Sequence, residues 1–398
     1  MTKPSNRIMN MAESATLAMA AKARELSQQG VEVISLSLGE PDFKTPDHIL
    51  EGTIEAIRSG KYFSYPPVNG YLDLRQAISK KFKDENGLDY SPDQIVVSNG
   101  AKQSIANVFL ALLNPGDEVI VFSPFWVSYT AMVELAEGVP VLIHGGIEHD
   151  FKATAQQLKE AITPKTKAVI FSSPCNPTGS VFTKDELEAI AEVLAPHPDI
   201  IVVSDEIYEL INFTGKHVSI GTMKGMLERT VTVNGFSKGF AMTGWRVGYI
   251  GAPLWLAKAA NKMQGQYTSA NSSISQRAAY VALTSSRESS EKMAAAYLRR
   301  RELVHGLLSE IPGMEVNMPT GAFYFFPNVK YYMGKKVGDR VISTPGDLCL
   351  FLLEDARVSL VGGEDFGAPD CLRLSYAASE ENLKEAIARI KVSLAKLN

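Results

Sequence analysis

The sequence has little that would tie it to disulfides, metals, membranes or nucleic acid. Its three cysteines, Cys175, Cys349 and Cys371, lie far apart and are odd in number, which excludes a disulfide framework and zinc-finger spacing. Thiols so placed suit a reducing compartment, and the cytoplasm is the expected location. The six histidines are scattered without metal-ligand spacing, so no metal is expected. A Walker A loop and a dinucleotide-binding G-x-G-x-x-G are both absent. No apolar run reaches membrane-spanning length, and the first residues carry no charged-then-apolar leader pattern, so no membrane partner is expected. Neither sign of charge dominates: 40 Lys and Arg stand against 44 Asp and Glu, a net charge of −4. A nucleic-acid binder's electrostatic footprint is missing, and the basic run Arg299-Arg300-Arg301 reads as a solvated helix face.

What is present is an ordinary soluble composition, 45% hydrophobic and 21% charged, over 398 residues, a length that predicts two domains. Between about 95 and 250, short β-branched runs alternate with helix-like segments. The strand candidates are Ile95–Ser98, Glu118–Phe122, Val139–Ile143, Lys167–Phe171, Ile200–Ser204 and Thr230–Asn234. Their apolar runs are continuous rather than alternating, which predicts strands covered on both faces. Helices are expected over Lys102–Leu113 and Thr183–Leu194, with a turn at Asn114-Pro115-Gly116-Asp117. The fold class is therefore α/β, with a doubly wound, mostly parallel sheet.

The chain ends read differently. Ser14–Gln29 predicts an amphipathic helix stopped by Gly30, and a long polar helix follows Ser286 to about Leu308. Short strands are expected at Gly321–Phe326, Val358–Val361 and Leu372–Tyr376, with helices near Asp347–Glu354 and Glu380–Leu394. Residues 47–289 are thus expected to form a large α/β domain, and residues 1–46 with 290–398 a smaller α+β domain.

One lysine stands out by its setting. Thr230–Lys238 reads as a buried strand that ends in small residues and runs straight into Lys238, whereas a lysine met alone is usually a surface group. Arg246 follows eight residues later between Gly244 and Gly248, glycines that let backbone approach a ligand. Asp205 closes the Ile200–Ser204 strand at its C-terminal end, where ligands bind in open α/β sheets. Gly100-Ala101-Lys102 opens a helix whose N–H groups and dipole favour an anion. A lone Asp would more often be a cap, and a lone Asn176 in Asn-Pro-Thr-Gly a turn residue.

With Gly39-Glu40-Pro41-Asp42-Phe43, Pro174-Cys175-Asn176-Pro177-Thr178-Gly179, Ser204-Asp205-Glu206-Ile207-Tyr208, Ser237-Lys238 through Gly248 and Arg373-Leu374-Ser375-Tyr376 in this order, the chain resembles the class I aminotransferases over essentially its whole length. The resemblance is to their bacterial aspartate aminotransferase subgroup, and it implies the type I fold of pyridoxal-phosphate-dependent transferases. It further implies that Lys238 holds pyridoxal 5'-phosphate covalently and, once displaced, moves a proton at the substrate α-carbon. Asp205 then keeps the ring nitrogen protonated, Tyr208 and Asn176 bond the ring hydroxyl, and Trp126 stacks on the ring. Gly100, Ala101, Lys102, Arg246 and Ser237 hold the phosphate; Gly235 stands where many relatives carry a serine. Tyr65 matches a tyrosine given by the neighbouring subunit of a homodimer. Arg373 and Gly39 grip the substrate α-carboxylate, alongside Asn176 and Trp126. Cys175 reads as a small filler.

Lys102 and Thr16 match residues that help read the distal carboxylate of aspartate or glutamate, and the segment 267–273 is a further source of partner-subunit hydroxyls. The expected reaction is amino transfer between L-aspartate and 2-oxoglutarate by a ping-pong route. Aromatic, prephenate-type or other neutral substrates are the alternative, and Ala12, where prephenate users carry a basic residue, counts against prephenate. A β-lyase of the same fold shares Lys238, Asp205 and Arg373. Gly235-Phe236-Ser237-Lys238-Gly239 also fits the serine-hydrolase pattern, but the only later histidine, His305, falls in a polar helix.

Overall fold

The computed structural model describes residues 2–9, 11 and 15–398. The β-branched runs form a seven-stranded sheet. In chain order its strands are β1 (Ile95–Ser98), β2 (Glu118–Ser123), β3 (Val139–His144), β4 (Thr166–Ser172), β5 (Ile201–Asp205), β6 (Thr230–Gly235) and β7 (Gly248–Gly251). They lie side by side as β1-β7-β6-β5-β4-β2-β3. Neighbours are parallel except around β7, which is antiparallel to both β1 and β6.

Successive residues of a strand feed opposite cores. Val119, Val121, Ile170 and Val203 pack on one face, and Ile120, Phe122, Val169 and Val202 on the other. Helices Ala101–Leu112 and Leu254–Tyr267 cover the first face, and Lys184–Leu194 the second. Strand β3 departs from the expectation of burial on both faces: it is the sheet edge, with Val139 46% and Leu142 37% exposed. The strand order reverses between β2 and β4, so their C-terminal ends flank a switch-point crevice.

Both chain ends share one core. Met19, Ala23, Ile34 and Leu36 pack with Val304, Leu308, Leu352, Leu374 and Ile390. Above it, Val361–Gly362, Leu372–Ser375 and Tyr324–Phe325 form an antiparallel sheet, and Ile34–Ser35 pairs in parallel with Val358–Ser359. The helices Glu288–Ser309, Pro345–Asp355 and Glu380–Leu394 follow the sequence closely. The first long helix is Ala15–Gln28, and the expected start at Ser14 lies outside the described residues. The run Gly321–Phe326 yields only the strand Tyr324–Phe325, because Ala322 takes a left-handed φ of 54° that breaks the extended path. Val358–Val361 splits at Leu360 into two short strands with different partners. No helix among the described residues is long and apolar enough to cross a membrane.

Candidate active site

A cavity of about 340 Å³ opens at the C-terminal ends of β2, β4, β5 and β6. Lys238 enters it from the turn after β6, and its Nζ donates to the Gly39 carbonyl at 2.5 Å. Burial lowers its pKa to about 8; Glu40 opposes the shift, while Arg373 and Arg246 add to it. A lysine tuned this way has an appreciable neutral fraction near neutral pH, which is what a nucleophile and proton carrier needs.

Asp205, at the end of β5, is 4% exposed. The Tyr129 hydroxyl donates to its Oδ2 at 2.6 Å, and the Ile207 N–H to its Oδ1 at 3.3 Å. Burial nonetheless lifts its pKa to about 6, because those neutral donors only partly replace water. A cationic N–H in the cavity is the partner that would hold this carboxylate ionised.

Arg373 is 1% exposed on its strand. Its Nη1 donates to Asn176 Oδ1 at 2.9 Å and its Nη2 to the Ser37 carbonyl at 2.6 Å. The guanidinium carbon lies 4.8 Å from the Tyr324 ring and 4.9 Å from that of Phe366, while Nε makes no hydrogen bond. A planar cation held so firmly, with a donor unspent, suits a carboxylate guest. The surface salt bridge that a strand arginine often makes is ruled out by this burial.

At the opposite end, Ala101 and Lys102 line the cavity, so the N-terminal turn of helix Ala101–Leu112 sits in its wall. Arg246 donates to the Thr243 carbonyl at 3.0 Å and approaches helix-capping Gly100 closely: a Cβ there would lie 2.4 Å from Nη2. Gly248 permits the same crowding from below, since its Cβ would lie 2.2 Å from the Ala101 nitrogen. The buried Ser237 also lines this end. Lys102, otherwise exposed, holds its ammonium 4.9 Å from the Trp126 ring centroid.

The fold therefore gathers Lys238, Asp205, Tyr208, Asn176, Trp126, Ala101, Lys102, Arg246, Ser237, Arg373, Gly39 and Thr16 around one cavity. Gly100 stands behind Arg246 rather than on the wall. Tyr65 is 96% exposed and lies outside the cavity, as does segment 267–273. Ala12 falls outside the described residues. Among the described residues no histidine lines the cavity, so Ser237 lacks the base that a hydrolase requires.

Tyr129 and Tyr324 are among the wall residues that the sequence did not mark. Tyr129 stands three residues past Trp126, in the first turn of the helix Ser128–Leu135, a nearness that could have marked it. Tyr324, whose hydroxyl lies 2.6 Å from that of Tyr208, sits in an aromatic run that reads as plain core. A further cluster, partly buried, lies beside Asp205: Glu206, Glu209 and His217 have ligand-type atoms within 4.8 Å of one another. Lys81 there hydrogen-bonds Glu209 and supplies a resident cation. Burial works against protonation of His217, but Glu206, 2.9 Å away, and Glu209 outweigh it and raise its pKa.

The donor set fits pyridoxal phosphate. A depressed lysine can join its aldehyde, a buried carboxylate hydrogen-bonded only by neutral donors can meet its ring nitrogen, and Trp126 offers a flat face. A helix N-terminus with an arginine matches its phosphate.

Comparison with known proteins agrees. The family described as aminotransferase class I and II matches residues 31–390. A bifunctional aspartate aminotransferase and glutamate/aspartate-prephenate aminotransferase of Petunia hybrida is 47% identical over 98% of this chain and 82% of its own. The aspartate aminotransferase of Rhizobium meliloti superposes with a TM-score of 0.96 at 41% identity, covering 100% of both chains. That of Thermus thermophilus, solved with maleate, gives 0.92 at 42% identity over 99% of this chain and 100% of that one. The fold is the type I fold of pyridoxal-phosphate-dependent transferases, as the sequence predicted. The chain belongs to the class I and II aminotransferases, enzymes that transfer amino groups with pyridoxal phosphate.

Proposed function

We propose that this enzyme moves an amino group between L-aspartate and 2-oxoglutarate, giving oxaloacetate and L-glutamate in two half-reactions. The carrying observation is a cavity with cationic groups for both ends of a dicarboxylate: buried Arg373 and, near Trp126, Lys102. The names of the relatives described above, and the maleate of the Thermus structure, support the dicarboxylate.

Bound pyridoxal phosphate supplies the electron sink that makes the substrate α-hydrogen acidic. Lys238 holds the cofactor and, when freed, its Nζ takes and returns the proton at the α-carbon. Asp205 keeps the proton on the ring nitrogen. Tyr208 and Asn176 bond the ring hydroxyl, and Trp126 fixes the plane of the ring. Arg246, Ser237 and the amides that follow Gly100 hold the phosphate. Arg373 orients the α-carboxylate so that the breaking bond faces the ring, with Gly39 on the adjoining loop. Lys102 and Thr16 receive the distal carboxylate.

The functional unit proposed is a homodimer in which Tyr65 completes the neighbouring site; its near-total exposure, with Phe63 and Tyr267 each 69% exposed, supports this. Residues 47–289 and residues 1–46 with 290–398 are the proposed domains, supported by the core shared between the chain ends. The cytoplasm is the proposed location, supported by three free, buried thiols. Prephenate is a second substrate reading, favoured by the name of the Petunia relative.

A half-reaction test decides the substrate. The holoenzyme is mixed separately with L-aspartate, L-glutamate, L-phenylalanine and L-alanine, and the absorbance of the bound cofactor is followed. Aspartate and glutamate are expected to react about 100-fold faster than the neutral amino acids, the worth of one charge-assisted contact. Faster reaction of phenylalanine or alanine would remove Lys102 and Thr16 from the assignment.

A further inference from the structure

Tyr324 has no role in the scheme above, yet it touches three of its parts. It is fully buried on the strand Tyr324–Phe325, where its backbone pairs with Ser375, two residues from Arg373. Its ring lies 4.8 Å from the Arg373 guanidinium carbon. Its hydroxyl is 2.6 Å from that of Tyr208. The same oxygen presses on the Gly39 loop, where a Cβ would come within 2.3 Å of it.

Two phenols in contact can place only one proton between them. Each hydroxyl has a single donor and can accept as well. If Tyr208 turns its proton toward a ring hydroxyl in the cavity, its oxygen is left to accept, and Tyr324 is the hydroxyl in reach that can donate. Burial raises both phenols above their ordinary range, against the pull of Arg373, so each keeps a proton to give. A donor behind a donor strengthens the forward bond, because hydrogen-bonded chains polarise one another.

We propose that Tyr324 is a positioning residue that donates to Tyr208, aims the Tyr208 proton at the cofactor's ring hydroxyl and so lowers the pH at which the bound cofactor titrates. The proposal rests on the reading of Tyr208 as the partner of that hydroxyl. Tyr324→Phe keeps the ring that packs on Arg373 and removes only the donor, so the α-carboxylate pocket is retained.

The test titrates the absorbance of the bound cofactor against pH in substrate-free holoenzyme for wild type, Tyr324→Phe, Tyr208→Phe and the double variant, with kcat and KM for aspartate alongside. Tyr208→Phe should raise the titration midpoint, and Tyr324→Phe should raise it by about half to one pH unit, the scale of one hydrogen bond. The double variant should match Tyr208→Phe, since Tyr324 acts only through Tyr208. In Tyr324→Phe, kcat should fall several-fold at nearly constant KM. An unmoved midpoint in Tyr324→Phe overturns the proposal, as does a rise in KM alone, which would make Tyr324 a support for Arg373. Additive shifts in the double variant would also overturn it. An unmoved midpoint in Tyr208→Phe, by contrast, marks the failure of the underlying reading of Tyr208, and the proposal falls with it.

Discussion

Replacing Lys238 with alanine is expected to lower turnover by at least about 10⁴-fold, the span of a lost nucleophile and a lost proton carrier acting together. The loss should appear in kcat with every amino-acid substrate, because Lys238 acts at the reacting carbon and not in substrate selection. The rest of the cavity survives the change: Arg373 is anchored by Asn176 and Ser37, and Asp205 by Tyr129, independently of Lys238. The variant should therefore fold and still take up pyridoxal phosphate, which dialysis and absorbance would check. Steady-state kinetics at saturating cofactor measure the main effect. Turnover within tenfold of wild type would remove Lys238 from the centre of the account.

Asp205→Asn is expected to act in opposite directions on activity and on stability. Loss of the charge that holds the ring nitrogen protonated should cut kcat by about 10³-fold, corresponding to about 4 kcal/mol of barrier. In protein stripped of cofactor the same change should stabilise. The sign follows from the raised pKa of Asp205, about 6 against an ordinary 3.8. For a group raised in the folded state, the stability contribution is complete below 3.8 and is lost as the pH rises through about 6. By pH 7 that loss approaches about 3 kcal/mol, less about 1 kcal/mol because asparagine keeps only one of the two acceptor oxygens. The stripped variant should thus unfold later than stripped wild type by about 2 kcal/mol at pH 7 and lose that advantage near pH 4. Denaturant unfolding at the two pH values measures the difference. A variant less stable than wild type at pH 7 would mean that Asp205 is not carried as a costly buried charge.

The sequence already held the large sheet, because its strands are continuous β-branched runs and continuity survives any arrangement of neighbours. It was silent on β7, where the two strand-favouring residues Tyr249 and Ile250 are too short a run to stand out between Gly248 and Gly251, a type depleted in strands. Glycine is required there by the close approach of Ala101 to the strand, a tertiary demand that no local pattern records. The position of β3 at the sheet edge was hidden for a related reason: an apolar run does not state how many neighbours it has. In the site, Asp205 and Arg373 were legible because they occupy a strand end and a strand interior, and Lys238 because it follows a buried strand directly, places where a charge needs a purpose. Tyr129 and Tyr324 were not, since a buried tyrosine among aromatics looks like packing until its hydroxyl is seen against Asp205 or Tyr208. That Lys81 joins Glu206, Glu209 and His217 was hidden by distance along the chain.

The central claim, that Lys238 carries the cofactor, is tested most directly by reducing the holoenzyme with borohydride and mapping the modified peptide by mass spectrometry. A single pyridoxyl-phosphate adduct on Lys238, lost in Lys238→Ala, is the expected result. An adduct on Lys102, the other lysine on the cavity wall, or no adduct in protein saturated with cofactor, would contradict it.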